Sequence, residues 1–138
     1  VALIAMNRER EIGVDVEQVK KEFAFAEVAE RYFTTREVSA IRALPEALQR
    51  RAFYQCWTSK EAFLKAKGVG LSGELDEVEI LFGGEGRVQV KSTLPGWHLS
   101  ELNPCDGYVG AVALEGYECD IRCYQWPGPA QETSHSHP

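Results

Sequence analysis

The fold turns on the stretch Phe53-Tyr-Gln-Cys-Trp-Thr-Ser-Lys-Glu-Ala-Phe-Leu-Lys-Ala-Lys-Gly68. Alanine, leucine, lysine, glutamate and glutamine dominate it, and these residues lose little freedom in a helix. Pro45 suits a helix start, where its missing N–H is not needed. Gly68 supplies the stop, because glycine enters the left-handed region at no steric cost. Phe53, Trp57 and Leu64 recur at helical spacing and form an apolar stripe. Glu61 follows Trp57 by four residues and Lys65 follows Glu61 by four, so all three share one side of the helix. Taken alone, Glu61 and Lys65 read as a surface ion pair worth roughly 0.2–0.5 kcal/mol.

Upstream, Ile12-Gly-Val-Asp-Val-Glu17 alternates as a strand, with Val14 and Val16 on one face and Gly13, Asp15 and Glu17 on the other. The two carboxylates stand about 7 Å apart at the Cα. They are either solvated on an exposed face or held together by a hard divalent cation. Mg²⁺ suits such a pair, because it takes one or two carboxylates and fills its shell with water and phosphate oxygens. Neither side chain is expected in the core. Val1 to Met6 reads as a buried strand paired antiparallel to this one across the polar turn Asn7-Arg-Glu-Arg10. An apolar start without a polar lead-in suggests a chain that begins inside a larger unit.

Between these stretches, Phe23 to Phe33 reads as helical. Thr34 or Thr35 caps the next helix, with Glu37 at the third position of a capping box and Val38, Ile41 and Leu44 as its apolar face. After Gly68-Val-Gly-Leu-Ser-Gly73 the period changes to two. Val78, Ile80 and Phe82 form one strand, Gly83 to Gly86 a turn, and Val88 and Val90 the next strand. Strands are then expected around Trp97 to Leu102, over Tyr108 to Leu114, and over Cys119 to Trp126. The Pro-, Ser- and His-rich residues 127–138 read as a disordered tail after a domain spanning 1–126. The order indicates an α+β fold, an antiparallel sheet with helices packed on one face.

Composition narrows the function. The chain has 138 residues and a net charge of −6, which disfavours bulk nucleic-acid binding. No apolar run is long enough to span a bilayer, and no cleavable signal is visible, so a cytoplasmic location is expected. Cys56, Cys105, Cys119 and Cys123 lack metal-site spacing and read as reduced thiols. No phosphate-binding GxxxxGK[ST] loop occurs, and Ser59, Ser72 and the cysteines lack a convincing histidine partner for nucleophilic catalysis. What remains is Asp15, Glu17 and Glu61, with Lys60 and Lys65 at their rim. If the helix packs on the sheet, these form a pocket in which Mg²⁺ bridges a pyrophosphate and the lysines neutralise the remaining charge.

Ile12-Gly-Val-Asp-Val-Glu17, followed by Trp57-Thr-Ser-Lys-Glu-Ala-Phe-Leu-Lys65 and Gly68-Val-Gly-Leu-Ser72, closely resembles the 4′-phosphopantetheinyl transferases. The likeness runs from Val1 to about Trp126. It is nearer to the second half of the two-domain surfactin-synthetase-activating (Sfp) type than to the small holo-acyl-carrier-protein synthases. The resemblance implies Mg²⁺-dependent transfer of the phosphopantetheine arm of coenzyme A to a serine of an acyl or peptidyl carrier protein, releasing adenosine 3′,5′-bisphosphate. It implies Asp15, Glu17 and Glu61 as metal ligands, Glu61 also as the base for the serine hydroxyl, and Lys65 and Lys60 near the coenzyme A phosphates. Glu37 matches an acidic residue in the context Phe33-Thr-Thr-Arg-Glu37. The two-domain enzymes are pseudo-dimers whose first half supplies most nucleotide contacts, and this chain matches only the second. Self-association through an exposed apolar surface is therefore expected, with weak coenzyme A affinity. A non-catalytic, self-associating half and a Mg²⁺-dependent phosphoesterase are the rival readings.

Overall fold

The long helix forms as expected, and the rest of the chain is arranged around it. The structure, a computed structural model, describes residues 1–69, 75–83, 89–116 and 120–126. Strand β1 (Ile12–Gln18) leads into helices α1 (Phe25–Tyr32), α2 (Thr35–Ala43) and α3 (Glu46–Lys67). Among the described residues four strands follow: β2 (Ile80–Phe82), β3 (Val90–Ser92), β4 (Trp97–Leu102) and β5 (Tyr108–Glu115). They form an antiparallel sheet of order β1-β5-β4 and a separate β2-β3 ribbon. The α+β class is as the sequence indicates.

Local chemistry sets the helix ends. Thr34 Oγ1 accepts from Glu37 N and Glu37 Oε2 accepts from Thr34 N, a complete capping box. Pro45 caps α3, and Gly68 ends it at a φ of 70°. That conformation favours glycine. Helix α3 is buried on most of its circumference, because α1 and α2 flank it while β1 and β5 lie beneath it. Phe53 anchors its first half in an aromatic cluster, 5.4 Å from Phe25, 5.3 Å from Phe33 and 6.1 Å from Trp57 between ring centroids. Phe63 anchors its second half edge-on against Trp97 at 5.0 Å.

The sheet register decides which residues meet α3. Gly13 pairs with Ala113, Asp15 with Ala111 and Glu17 with Val109, and directly paired residues share a face. This is the face under α3: Gly13, Asp15, Val109, Ala111 and Ala113 are all buried. The side chains are small because the helix backbone comes very close. A Cβ on Gly13 would stand 2.1 Å from the Ala62 carbonyl oxygen and 2.3 Å from the Ala66 nitrogen.

Three expectations are corrected. Residues 1–7 form no strand, and the partner of β1 is β5 at the far end of the fold. Leu3 lies over the opposite sheet face near Gly110, whereas Ile4 and Met6 point into solvent at 88 % and 89 % exposure. A surface strap explains the apolar alternation without a hydrogen-bond ladder. Residues 120–126, expected as a strand, have no regular structure, and Tyr124 and Trp126 are exposed. Asp15, expected outside the core, is buried at 6 % exposure. Cys119, the glycine-rich residues 70–74 and the tail 127–138 lie outside the described residues.

Candidate active site

Strand β1 and helix α3 cross where Gly13 lets them touch, and the acidic residues gather on either side of that crossing. Asp15 comes from the strand, and Glu61 and Lys65 come from successive turns of the helix. Lys65 Nζ donates to Asp15 Oδ1 at 2.8 Å, with half the lysine side chain exposed. The ion pair of Lys65 is thus made to the strand, not within the helix to Glu61. Asp15 Oδ2 and Glu61 Oε1 are buried and bond to nothing among the described residues. Orphaned carboxylate oxygens are costly, and they are rare unless a ligand or ion completes them.

The electrostatics agree with this clustering. Burial pushes the Glu61 carboxyl above its ordinary value, and the charge of Asp15 pushes it further, partly offset by Lys65. Burial and then Asp15 raise the Glu17 carboxyl in the same way, with Lys65 and Lys20 opposing. The hydrogen bond to Asp15 raises the Lys65 ammonium, which holds its proton more tightly than a free lysine. Lys65 therefore faces three mutually repelling carboxylates, with Lys20 assisting only at Glu17. A site with that imbalance attracts further positive charge.

The donor set suits Mg²⁺. All the candidate ligands are carboxylate oxygens, which a hard cation prefers. As the side chains lie, no three of the described His, Cys, Asp and Glu residues are disposed to hold an ion by themselves. That agrees with Lys65 engaging one oxygen of Asp15, and Mg²⁺ needs only one or two carboxylates when water and phosphate complete its shell.

Lys60 and Glu37 are not part of this cluster. Both side chains are fully buried, and Lys60 Nζ contacts Glu37 Oε1 at 2.8 Å. The ammonium also donates to the carbonyls of Leu75 at 2.5 Å and Val78 at 2.7 Å. Those bonds use all three of its protons, so none is left for a phosphate. Glu37 Oε1 accepts from Ile80 N at 3.0 Å, and its Oε2 serves the α2 cap and receives the Cys56 thiol. The assignment of Lys60 and Glu37 to coenzyme A contacts is therefore corrected: the pair joins α2, α3 and β2 inside the fold. A sequence signal was present. Lys60 lies between Phe53, Cys56 and Trp57 on one side and Phe63 and Leu64 on the other, at helical spacing, which places it in the buried seam. The close contact at Gly13 also had its signal, since a glycine inside a strand often marks a backbone approach.

The crossing helix, the small-residue sheet and the clustered carboxylates define an α+β domain with an acidic site where strand and helix meet. Comparison with known proteins makes this specific. Residues 11–113 match the model of the 4′-phosphopantetheinyl transferase superfamily, and the chain belongs to that superfamily. It is 38 % identical over 117 residues to the 4′-phosphopantetheinyl transferase HetI of Nostoc, covering 85 % of this chain and 48 % of that one. It is 32 % identical over 111 residues to the transferase Sfp of Bacillus subtilis, covering 80 % and 45 %. The chain thus spans about half the length of these curated relatives. A holo-(acyl-carrier-protein) synthase of Bacillus anthracis, solved in complex with coenzyme A, shares the fold at a TM-score of 0.62 and 20 % identity, covering 78 % of this chain and 96 % of that one. The synthase of Thermotoga maritima shares it at 0.60 and 23 %, covering 80 % and 66 %.

Proposed function

We propose that this chain carries the metal-binding and proton-accepting side of a transferase that moves the 4′-phosphopantetheine arm of coenzyme A onto a serine of an acyl or peptidyl carrier protein. The observation that carries the reading is the meeting of Asp15 and Glu61, each with a buried, unbonded carboxylate oxygen, inside the superfamily match. Asp15, Glu17 and Glu61 would hold Mg²⁺, which supplies charge neutralisation on the pyrophosphate of coenzyme A. Glu61 accepts the proton of the carrier serine as the serine oxygen forms its bond to the β-phosphorus. The bond from that phosphorus to the bridging oxygen breaks, and adenosine 3′,5′-bisphosphate leaves with the electron pair. A carboxyl raised by burial and neighbouring charge is a better base than an ordinary one. Lys65, half exposed beside Asp15, offers its ammonium to phosphate oxygens.

Incubation with coenzyme A, Mg²⁺ and an apo carrier protein, followed by weighing the carrier, tests the proposal. A phosphopantetheine increment that disappears in Glu61→Gln is the expected result. Breakdown of coenzyme A without the increment would replace transfer by phosphoester hydrolysis. Binding of coenzyme A with no reaction would make this a non-catalytic half.

A further inference from the structure

We propose that Gly13 is a positioning residue for the site: its missing side chain sets the distance between strand and helix at which Asp15, Glu61 and Lys65 act together. The inference rests on the reading of these carboxylates as the metal end of a transferase site. The two atoms that a Cβ would strike belong to the backbone of α3. Backbone cannot rotate away as a side chain can, so the helix must lift or the strand must bend. Ala62 directly follows Glu61, and Ala66 directly follows Lys65. The obstruction therefore falls beside both helix residues of the site, while Gly13 itself is two residues from Asp15 on the same strand face. Beside Gly13 on the same sheet face, its paired neighbour Ala113 is also fully buried under the helix.

A helix lifted by even 1 Å, on the order of the overlap, separates a charge-assisted bond such as that between Lys65 and Asp15 beyond its working distance. It also moves the unbonded oxygens of Asp15 and Glu61 apart, so that one ion no longer reaches both. Gly13 touches no substrate in this scheme and acts only through the spacing of the others.

The test uses the whole protein and Mn²⁺ as the probe, with bound ion counted by electron paramagnetic resonance. Gly13→Ala is compared with Ile41→Ala, a cavity variant in α2 away from the crossing. The expected result is a loss of Mn²⁺ affinity of tenfold or more in Gly13→Ala, with Ile41→Ala close to the parent at a temperature where both are folded. If Gly13→Ala does not fold, Ala113→Val adds bulk to the paired, fully buried neighbour at the same crossing and should also lower Mn²⁺ affinity. Parental affinity in either folded crossing variant overturns the inference. If the parent itself binds no Mn²⁺, the metal reading fails, and a metal-free measurement decides the positioning role. The coupling between Asp15→Asn and Lys65→Met in urea unfolding should be present with Gly13 and absent in the folded crossing variant. Equal coupling in both backgrounds overturns the inference.

Discussion

Lys60→Met removes a buried ammonium while keeping a flexible chain of similar length in the seam. Three acceptors lose their donor at once: Glu37 Oε1 at 2.8 Å and the carbonyls of Leu75 and Val78 at 2.5 and 2.7 Å. Breaking a buried pair by removing one partner costs about 3–5 kcal/mol, because the other charge is left uncompensated. The orphaned carbonyls each add about 1–3 kcal/mol if nothing replaces the bond. These contributions overlap, since all three groups surround one nitrogen and the Leu75–Val78 turn can relax. A net loss of about 4 kcal/mol is expected, against about 5–15 kcal/mol for a whole domain. With a urea slope of about 1.5 kcal/mol per molar, the unfolding midpoint falls by roughly 2.7 M. Adding Glu37→Gln removes the stranded charge and keeps one acceptor oxygen, which serves Ile80 N while Thr34 N loses its side-chain acceptor. The double variant should therefore be more stable than the two single losses would sum to, by about 1–3 kcal/mol. Equilibrium urea unfolding followed by tryptophan fluorescence measures both quantities. A Lys60→Met protein within about 0.5 kcal/mol of the parent, with a raised KM for coenzyme A, would refute the structural role and restore phosphate binding.

Metal-free stability should fall as pH rises above the ordinary carboxylate value of 4.5. Glu17 and Glu61 have raised carboxyls, so between 4.5 and their folded values the folded state holds more protons than the unfolded one, and the slope is negative. Thermal unfolding of Glu61→Gln against the parent isolates one group, and a difference independent of pH across that window would contradict the assignment. Thr34→Ala should cost about 1 kcal/mol through loss of the α2 cap, read by urea unfolding, and an unchanged midpoint would show that the hydroxyl does not cap. Trp57→Ala should cost about 3 kcal/mol, because it strips one ring from the cluster around Phe53 and Phe33. A loss below about 1 kcal/mol in the same assay would mean that the cluster closes over the gap. In the transfer assay Lys65→Ala should raise KM for coenzyme A more than it lowers kcat, whereas a pure kcat effect would move Lys65 from ground-state binding to the transition state.

The sequence by itself determined what depends on neighbours along the chain. The extent of α3, its stop at Gly68, the capping box of Thr34 and Glu37, and the alternation of Asp15 and Glu17 with Val14 and Val16 all follow from local periodicity and turn chemistry. The acidic candidates Asp15, Glu17 and Glu61 were legible for the same reason, since two motifs carry them. Tertiary structure alone decided where those motifs point. Whether Asp15 is solvated or buried depends on which sheet face α3 covers, and that depends on pairing β1 with β5 rather than with residues 1–6. The apolar start of the chain could not reveal this, because a surface strap and a buried strand carry the same alternation. Lys60 and Lys65 are alike in sequence, both beside the acidic helix face, yet about one and a half turns of helix separate a sealed interior from the surface. Only the packing of α2 and β2 against α3 made Lys60 an internal tie and left Lys65 to meet Asp15 at the surface.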